Sequence, residues 1–183
     1  MLDKPSPACY PFITMKSLTK EQLNSLLTTA RKHSESDYLA LLVGFNHGLR
    51  VSEILALTRE NVVSGYLVVQ RLKGSNKTTQ ALLPNERQQL ETLAATVEGR
   101  FFTICRKTLW LHMKQYAVEA GIPEFLAHPH VLKHTAGRLG HKGGMTIPEV
   151  GVRLGHKNLG NSMIYMQATE DEAGAAFAAA VGA

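Results

Sequence analysis

Leu23, Leu26, Leu27 and Ala30 recur at steps of three and four, the spacing that lines apolar side chains along one stripe of an α-helix. Ahead of them, Thr19-Lys20-Glu21-Gln22 matches a capping box, in which the Thr hydroxyl and the Gln side chain satisfy backbone N–H groups that a helix start leaves unpaired. A first helix is therefore predicted from this box. A second is predicted from about Ser36, where Leu39, Leu41, Leu42, Val43 and Phe45 are dense enough to make the helix central to the core. Gly48 interrupts it, and Arg50 opens a short helix, Val51 to Leu57.

The period then changes. Tyr66-Leu67-Val68-Val69-Gln70-Arg71-Leu72 is rich in β-formers, Lys73-Gly74-Ser75-Asn76-Lys77 is turn chemistry, and Thr78 to Leu83 can return as a partner strand. The result is a small hairpin with a basic tip. Helical spacing resumes over Asn85 to Val97, and again over Thr108 to Ala120 through Leu109, Met113, Tyr116 and Ala117, where Gly121-Ile122-Pro123 stops it. Three short helices fit from His130 onward, divided near Gly143-Gly144 and near Gly155. Phe101, Phe102 and Trp110 are expected to pack in the core or between helices rather than to stack on bases. The predicted fold class is mainly α with a small antiparallel β-sheet (α+β). Pro5, Pro7 and Pro11 make residues 1–16 an extended lead-in. Residues 169–183 form an alanine-rich tail of high helix propensity with too little apolar bulk for a core of its own.

A chain of 183 residues suits one domain, and 44% hydrophobic content suits a soluble globular one. Cys9 and Cys105 are too few and too far apart for a disulfide framework, which points to a reducing cytoplasm. No run of about 18 apolar residues exists, and Leu2-Asp3-Lys4-Pro5 does not open a leader peptide, so neither a membrane nor an export route is expected. A net charge of +5 leans toward polyanionic partners without naming one.

Local charge says more. From His128 to Ala168 the chain carries Lys133, Arg138, Lys142, Arg153 and Lys157 against the single carboxylate Glu149, together with His128, His130, His134, His141 and His156. Tyr165 lies among them, and Glu170-Asp171-Glu172 then reverse the sign. A phenol, with an ordinary pKa of about 10, is a poor nucleophile near neutral pH unless cations surround it and its target. Such a surround is the chemistry of a phosphate on DNA.

Asn46-His47-Gly48-Leu49-Arg50-Val51-Ser52-Glu53-Ile54-Leu55-Ala56-Leu57, the hairpin Lys73 to Lys77, His130-x-x-Lys133-His134-Thr135, Leu154-Gly155-His156 and Tyr165 occur in this order. Together they resemble the catalytic domain of tyrosine recombinases, also called phage integrases, over about Ser17 to Gln167, with residues 17–168 as the domain. Within that family, His128-Pro129-His130 and Arg71-Leu72-Lys73 are most similar to the fimbrial-switch invertases.

The resemblance implies site-specific DNA recombination through a 3′-phosphotyrosyl intermediate, with Tyr165 as nucleophile and with no ATP, metal or other cofactor. It also implies that Arg50 clamps two non-bridging oxygens, oriented by Glu53, and that His156 donates to the same oxygens. His130 would handle the tyrosyl proton and Lys73 would protonate the leaving oxygen. The departure is Lys133, where the family carries a second arginine. Lysine keeps the charge but loses the two-pronged fork, so slowed catalysis is expected. The implied partners are double-stranded DNA and further copies of the chain, as a tetramer on DNA and a monomer in free solution. Arg71, Lys77, Lys107, Lys142 and Arg153 are candidate DNA contacts. Most family members resemble two-domain clamps, and with about 16 residues before Ser17, whether as an excised catalytic domain or as a naturally single-domain member, the catalytic jaw alone is expected to bind weakly.

Plainer roles compete with each of these. Arg50 can pair with Glu53 on a helix surface, Tyr165 can be a core tyrosine, and Lys73, Lys77, Arg106, Lys107 and Lys114 can be solvated. His130 and His134 share a helical face at the spacing of a zinc pair, but without a His-Glu-x-x-His pattern or a nearby cysteine they are better read as structural or phosphate-facing. Two rival functions remain open: a DNA-binding regulator that lost turnover through Lys133, and a type IB topoisomerase-like nicking-closing activity.

Overall fold

The computed structural model describes residues 17–72, 75–158 and 160–163, together with Ala178. The alanine-rich tail is otherwise outside the described residues, as are the proline lead-in, Lys73 and Tyr165. Along the chain run α1 (Lys20–His33), α2 (Glu35–Asn46), α3 (Val51–Ile54), β1 (Val62–Val63), β2 (Tyr66–Val69), β3 (Thr78–Ala81), α4 (Arg87–Thr96), α5 (Arg106–Glu119), α6 (His130–Lys142), α7 (Ile147–Leu154) and α8 (Gly160–Met163). The mainly helical fold with a small antiparallel sheet is thus observed.

Helix α1 starts at the expected box. Thr19 Oγ1 accepts from Gln22 N at 3.2 Å and Gln22 Oε1 accepts from Thr19 N at 2.9 Å. Helix α2 is central, as its apolar density predicted: Leu39, Ala40, Leu41, Leu42 and Val43 are all buried. It packs against α1 and α6, and α5 closes the core with Leu109, Met113 and Tyr116. A buried carboxylate fastens this layer, since Asp37 on α2 accepts from the Tyr116 hydroxyl at 2.6 Å and bonds His112 Nδ1 at 2.7 Å. Burial and that carboxylate push the Tyr116 phenol pKa up.

The sheet has three strands in the order β1-β2-β3, one more than the predicted hairpin. Val62 pairs with Leu67 and Val63 with Tyr66, while Tyr66 to Val69 pair with Ala81 to Thr78. Both hairpin strands are shorter than expected: β2 ends before Arg71, which turns inward to a polar junction, and β3 ends at Ala81, after which Leu82 N donates to Gly65 O in the turn before β2. Phe101 and Phe102 are buried, but Trp110 is 36% exposed and has the Lys114 ammonium over its ring at 4.6 Å. That corrects its expected place in the packing: α5 turns Leu109 and Met113 inward, and Trp110 follows Leu109 onto the outer face. Among the described residues no helix is long and apolar enough to cross a membrane.

Candidate active site

Gly48, at φ 58°, lets the chain leave α2 and turn at once into α3, which brings Arg50 to the N-cap position. Glu53 sits three residues on and reaches back. Its carboxylate accepts from Arg50 N at 2.8 Å, Arg50 Nη1 at 3.2 Å, Leu72 N at 3.1 Å and Arg71 Nη1 at 3.0 Å. Burial alone would raise its pKa. The two backbone N–H groups and the Arg71 guanidinium outweigh burial and hold Glu53 below the usual carboxylate range. The carboxylate is therefore an ionised bracket on which Arg50 is mounted.

Arg50 Nη1 also donates to Leu72 O at 3.3 Å and Ser75 Oγ at 3.2 Å. Among the described residues no hydrogen bond occupies its Nε or Nη2, and the side chain is 32% exposed. One edge of the guanidinium is anchored to protein and the other faces outward, the geometry needed to hold an oxyanion.

Lys133 lies one turn into α6, 5% exposed, with Nζ donating to Leu154 O at 2.8 Å. Burial first, then the charges of Arg50 and Arg71, bring its pKa down to about 8. His130 is exposed at the start of the same helix, edge-on to His134 with ring centroids 5.3 Å apart. Partial desolvation, then Lys133, Arg50, His128 and Arg106, lower its pKa. His156 follows the αL cap Gly155 and bonds Ser162 Oγ through Nδ1 at 2.8 Å. Burial, then Lys133, Arg50, Arg71 and His134, push its pKa down to about 4. Both imidazoles are thus free bases at neutral pH, set among cations that act on each of them. Among the described residues no group of three or more His, Cys, Asp or Glu is arranged to hold a metal.

The hairpin reaches this cluster by backbone pairing. Asn76 N donates to Gly155 O at 3.0 Å, and Ser75 bridges His156. The structure therefore brings together Arg50, His130, Lys133 and His156, drawn from three separate stretches of chain. Lys73 lies two positions before Ser75, outside the described residues, and so does Tyr165.

Two of the expected DNA contacts point inward. Arg71 is 4% exposed, with Nε donating to Thr78 Oγ1 at 3.0 Å and its two Nη atoms donating to Gly48 O, Glu53, His47 O and Arg153 O. Arg153 is half-buried, donates through Nη2 to Asn46 O, and has its pKa lowered by burial. Both tie α2, the sheet and α7 together behind the cluster. Of the other candidates, Lys77 is exposed near the hairpin tip. Lys107 lines a cavity of about 630 Å³ beside His130, with Arg106, Trp110 and His128, whereas Lys142 lines a separate cavity with Lys20 and Arg138.

Sequence reading missed Ser162, Ser75 and Gln80, which donates to Arg153 O at 2.7 Å. A lone hydroxyl or amide in a loop, a four-residue strand or a four-residue helix carries no periodic signal. Only Ser162's place between His156 and Tyr165 hints at a role.

The model of the Phage integrase family matches residues 16–172. The chain is similar to tyrosine recombinase XerA of Pyrococcus furiosus, 32% identical over 168 residues that make up 84% of this chain and 58% of the relative. It is also similar to the type 1 fimbriae regulatory protein FimE of Escherichia coli K12, 26% identical across 70% of this chain and 73% of that one. The chain spans about three-fifths of the length of the XerA relatives it matches. Among solved structures it superposes on XerA recombinase with a TM-score of 0.74 at 19% identity, covering 94% of this chain and 65% of that one. On the catalytic domain of bacteriophage HP1 integrase the TM-score is 0.66 at 21% identity, covering 82% and 86%. These structural likenesses carry the fold.

Proposed function

Since the chain belongs to the phage integrase family, we propose that it recombines DNA site-specifically, breaking and rejoining strands through a covalent 3′-phosphotyrosyl link to Tyr165. The observation that carries this reading is Arg50: one edge of its guanidinium is fixed by buried Glu53, and the other opens beside Lys133 and His156. A phosphodiester seated there would have its non-bridging oxygens facing Arg50, Lys133 and a neutral imidazole. Those preorganised donors are aimed where negative charge grows in the transition state.

Tyr165 Oη attacks phosphorus, the bond from phosphorus to the 5′-oxygen breaks, and Lys73 gives that oxygen its proton. His130, whose pKa is lowered by partial burial first and by its cationic neighbours second, takes the tyrosyl proton. Attack by a 5′-hydroxyl from another strand reverses the step, so bond energy is conserved and no ATP is consumed. The partners are double-stranded DNA and other copies of the chain, tetrameric on DNA, with the reaction in the cytoplasm.

A suicide substrate nicked near the cleavage site tests this. The wild-type protein forms a covalent adduct that resists denaturant, and Tyr165→Phe binds the same DNA without forming it. Salt-sensitive binding with no adduct from the wild-type protein would replace this reading with that of a regulator. Plasmid relaxation without recombinant products would replace it with a topoisomerase.

A further inference from the structure

A neutral imidazole has one N–H, and which nitrogen carries it decides whether the other end of the ring donates or repels. His156 is such a ring, because its buried, cation-rich surround disfavours a second proton. With hydrogen on Nε2 it donates to a phosphate oxygen. With hydrogen on Nδ1 it turns a bare lone pair toward that oxygen, and the contact becomes repulsive.

We propose that Ser162 is a positioning residue whose hydroxyl, by donating to His156 Nδ1, holds the ring in the tautomer that offers Nε2–H to the scissile phosphate. Ser162 is 0% exposed, and its Oγ stands 2.8 Å from Nδ1. A buried hydroxyl must place its proton on an acceptor. Among the described residues the imidazole is the hydrogen-bond partner that Ser162 has. Were Nδ1 protonated, the Ser162 hydrogen would lose this acceptor while Nε2 faced the phosphate unprotonated. Both ends of the ring therefore favour the same tautomer.

Local folding builds the contact. Gly155 takes φ 69° to end α7, His156 follows at the bridge to Ser75, and α8 returns against α7 so that Ser162 lies under the ring. The hydroxyl comes from the stretch that leads into Tyr165, three residues on. The orientation of the phosphate donor is thereby linked to the segment carrying the nucleophile.

The inference rests on the recombinase reading, and the test separates the two. In protein labelled with nitrogen-15 at histidine, the ring nitrogen shifts of His156 report its tautomer without any substrate. Wild type is expected to show the Nε2–H form from pH 5 to 8. Ser162→Ala should mix in the Nδ1–H form and slow single-turnover cleavage of the suicide substrate roughly tenfold or more, the scale of loss seen when the hydrogen-bond partner that orients a metal-bound imidazole is removed. DNA affinity and melting temperature should stay near wild type. Ser162→Thr, which keeps the hydroxyl, should restore both the tautomer and most of the rate. A wild-type ring protonated on Nδ1, or a Ser162→Ala ring that stays wholly Nε2–H, would overturn the proposal. A wild-type protein that forms no adduct would overturn the recombinase reading, while the nitrogen shifts still decide what Ser162 does to the ring.

Discussion

Lys133 holds an ammonium where water is scarce and two guanidiniums are near. Its pKa of about 8 follows from burial first and from Arg50 and Arg71 second, and Leu154 O is its hydrogen-bond acceptor. At pH 7 the site keeps this charge, and as pH rises through 8 it is lost. Single-turnover cleavage should therefore fall on the alkaline side with a midpoint near 8. Lys133→Arg should abolish that limb, because a guanidinium stays charged, and should raise the rate at pH 7.5 by about tenfold, a fraction of the ~10²–10³ that one such transition-state donor contributes. A pH–rate profile of both proteins on the suicide substrate decides it. An unchanged rate and an unchanged limb would remove Lys133 from the phosphate. The lysine was readable in sequence because it stands three residues after His130, but its burial was not, since that depends on how α6 meets the end of α7.

At the scale of elements, the site exists because loops and helix ends converge. Gly155 is one of these joints: a Cβ there would lie 3.1 Å from Arg71 Cγ, 3.3 Å from Arg71 Nε and 3.3 Å from Asn76 O, at a positive φ that side chains resist. Gly155→Ala should cost about 1–3 kcal/mol in urea denaturation and displace His156, lowering cleavage more than DNA binding. The buried carboxylates form a second kind of joint. Glu86 at the start of α4 bonds His47 Nε2 at 2.6 Å and accepts from Asn46 Nδ2 at 2.8 Å, which pins the end of α2. Burial opposes its ionisation, but His47 and the Leu83 N–H win, so its folded pKa, like that of Glu53, lies below the ordinary value. Both carboxylates therefore contribute stability at neutral pH, and it is lost as pH falls from about 4.3 through the lower folded values. Urea midpoints measured from pH 7 to 3 should drop in that acid range, and Glu86→Gln should flatten part of the drop. Helices α1, α2, α5 and α6 were legible because apolar period and capping residues are local signals. Strand β1 was not, since two residues, Val62 and Val63, carry no period. The N-cap of α7 repeats the kind of box that opens α1, with Thr146 Oγ1 accepting from Glu149 N, and is as local a signal as Thr19 to Gln22.

Across the whole molecule, the net charge of +5 divides between two different uses. Arg71 and Arg153 face inward, where guanidinium forks satisfy backbone carbonyls from α2, α7 and the loop after α2. Arg106 and Lys107 face outward along the cavity that opens beside His130. Sequence position could not separate these groups, because a strand places alternate residues on opposite faces and the shortened β2 decides which face Arg71 takes. The division predicts a double dissociation. Lys107→Ala should reduce the dependence of log affinity on log salt by about one counterion, with an unchanged denaturation midpoint. Arg71→Ala should do the reverse, removing the buried guanidinium that pairs with Glu53 and donates to the His47, Gly48 and Arg153 carbonyls, at a loss of ~3–5 kcal/mol in stability, while the salt slope of the protein that remains folded stays at the wild-type value. Denaturation curves and filter-binding titrations across salt, run on both variants, read the two quantities independently. A steepened or flattened salt slope in Arg71→Ala would return that arginine to the DNA surface, and a stability loss in Lys107→Ala would take that lysine away from it.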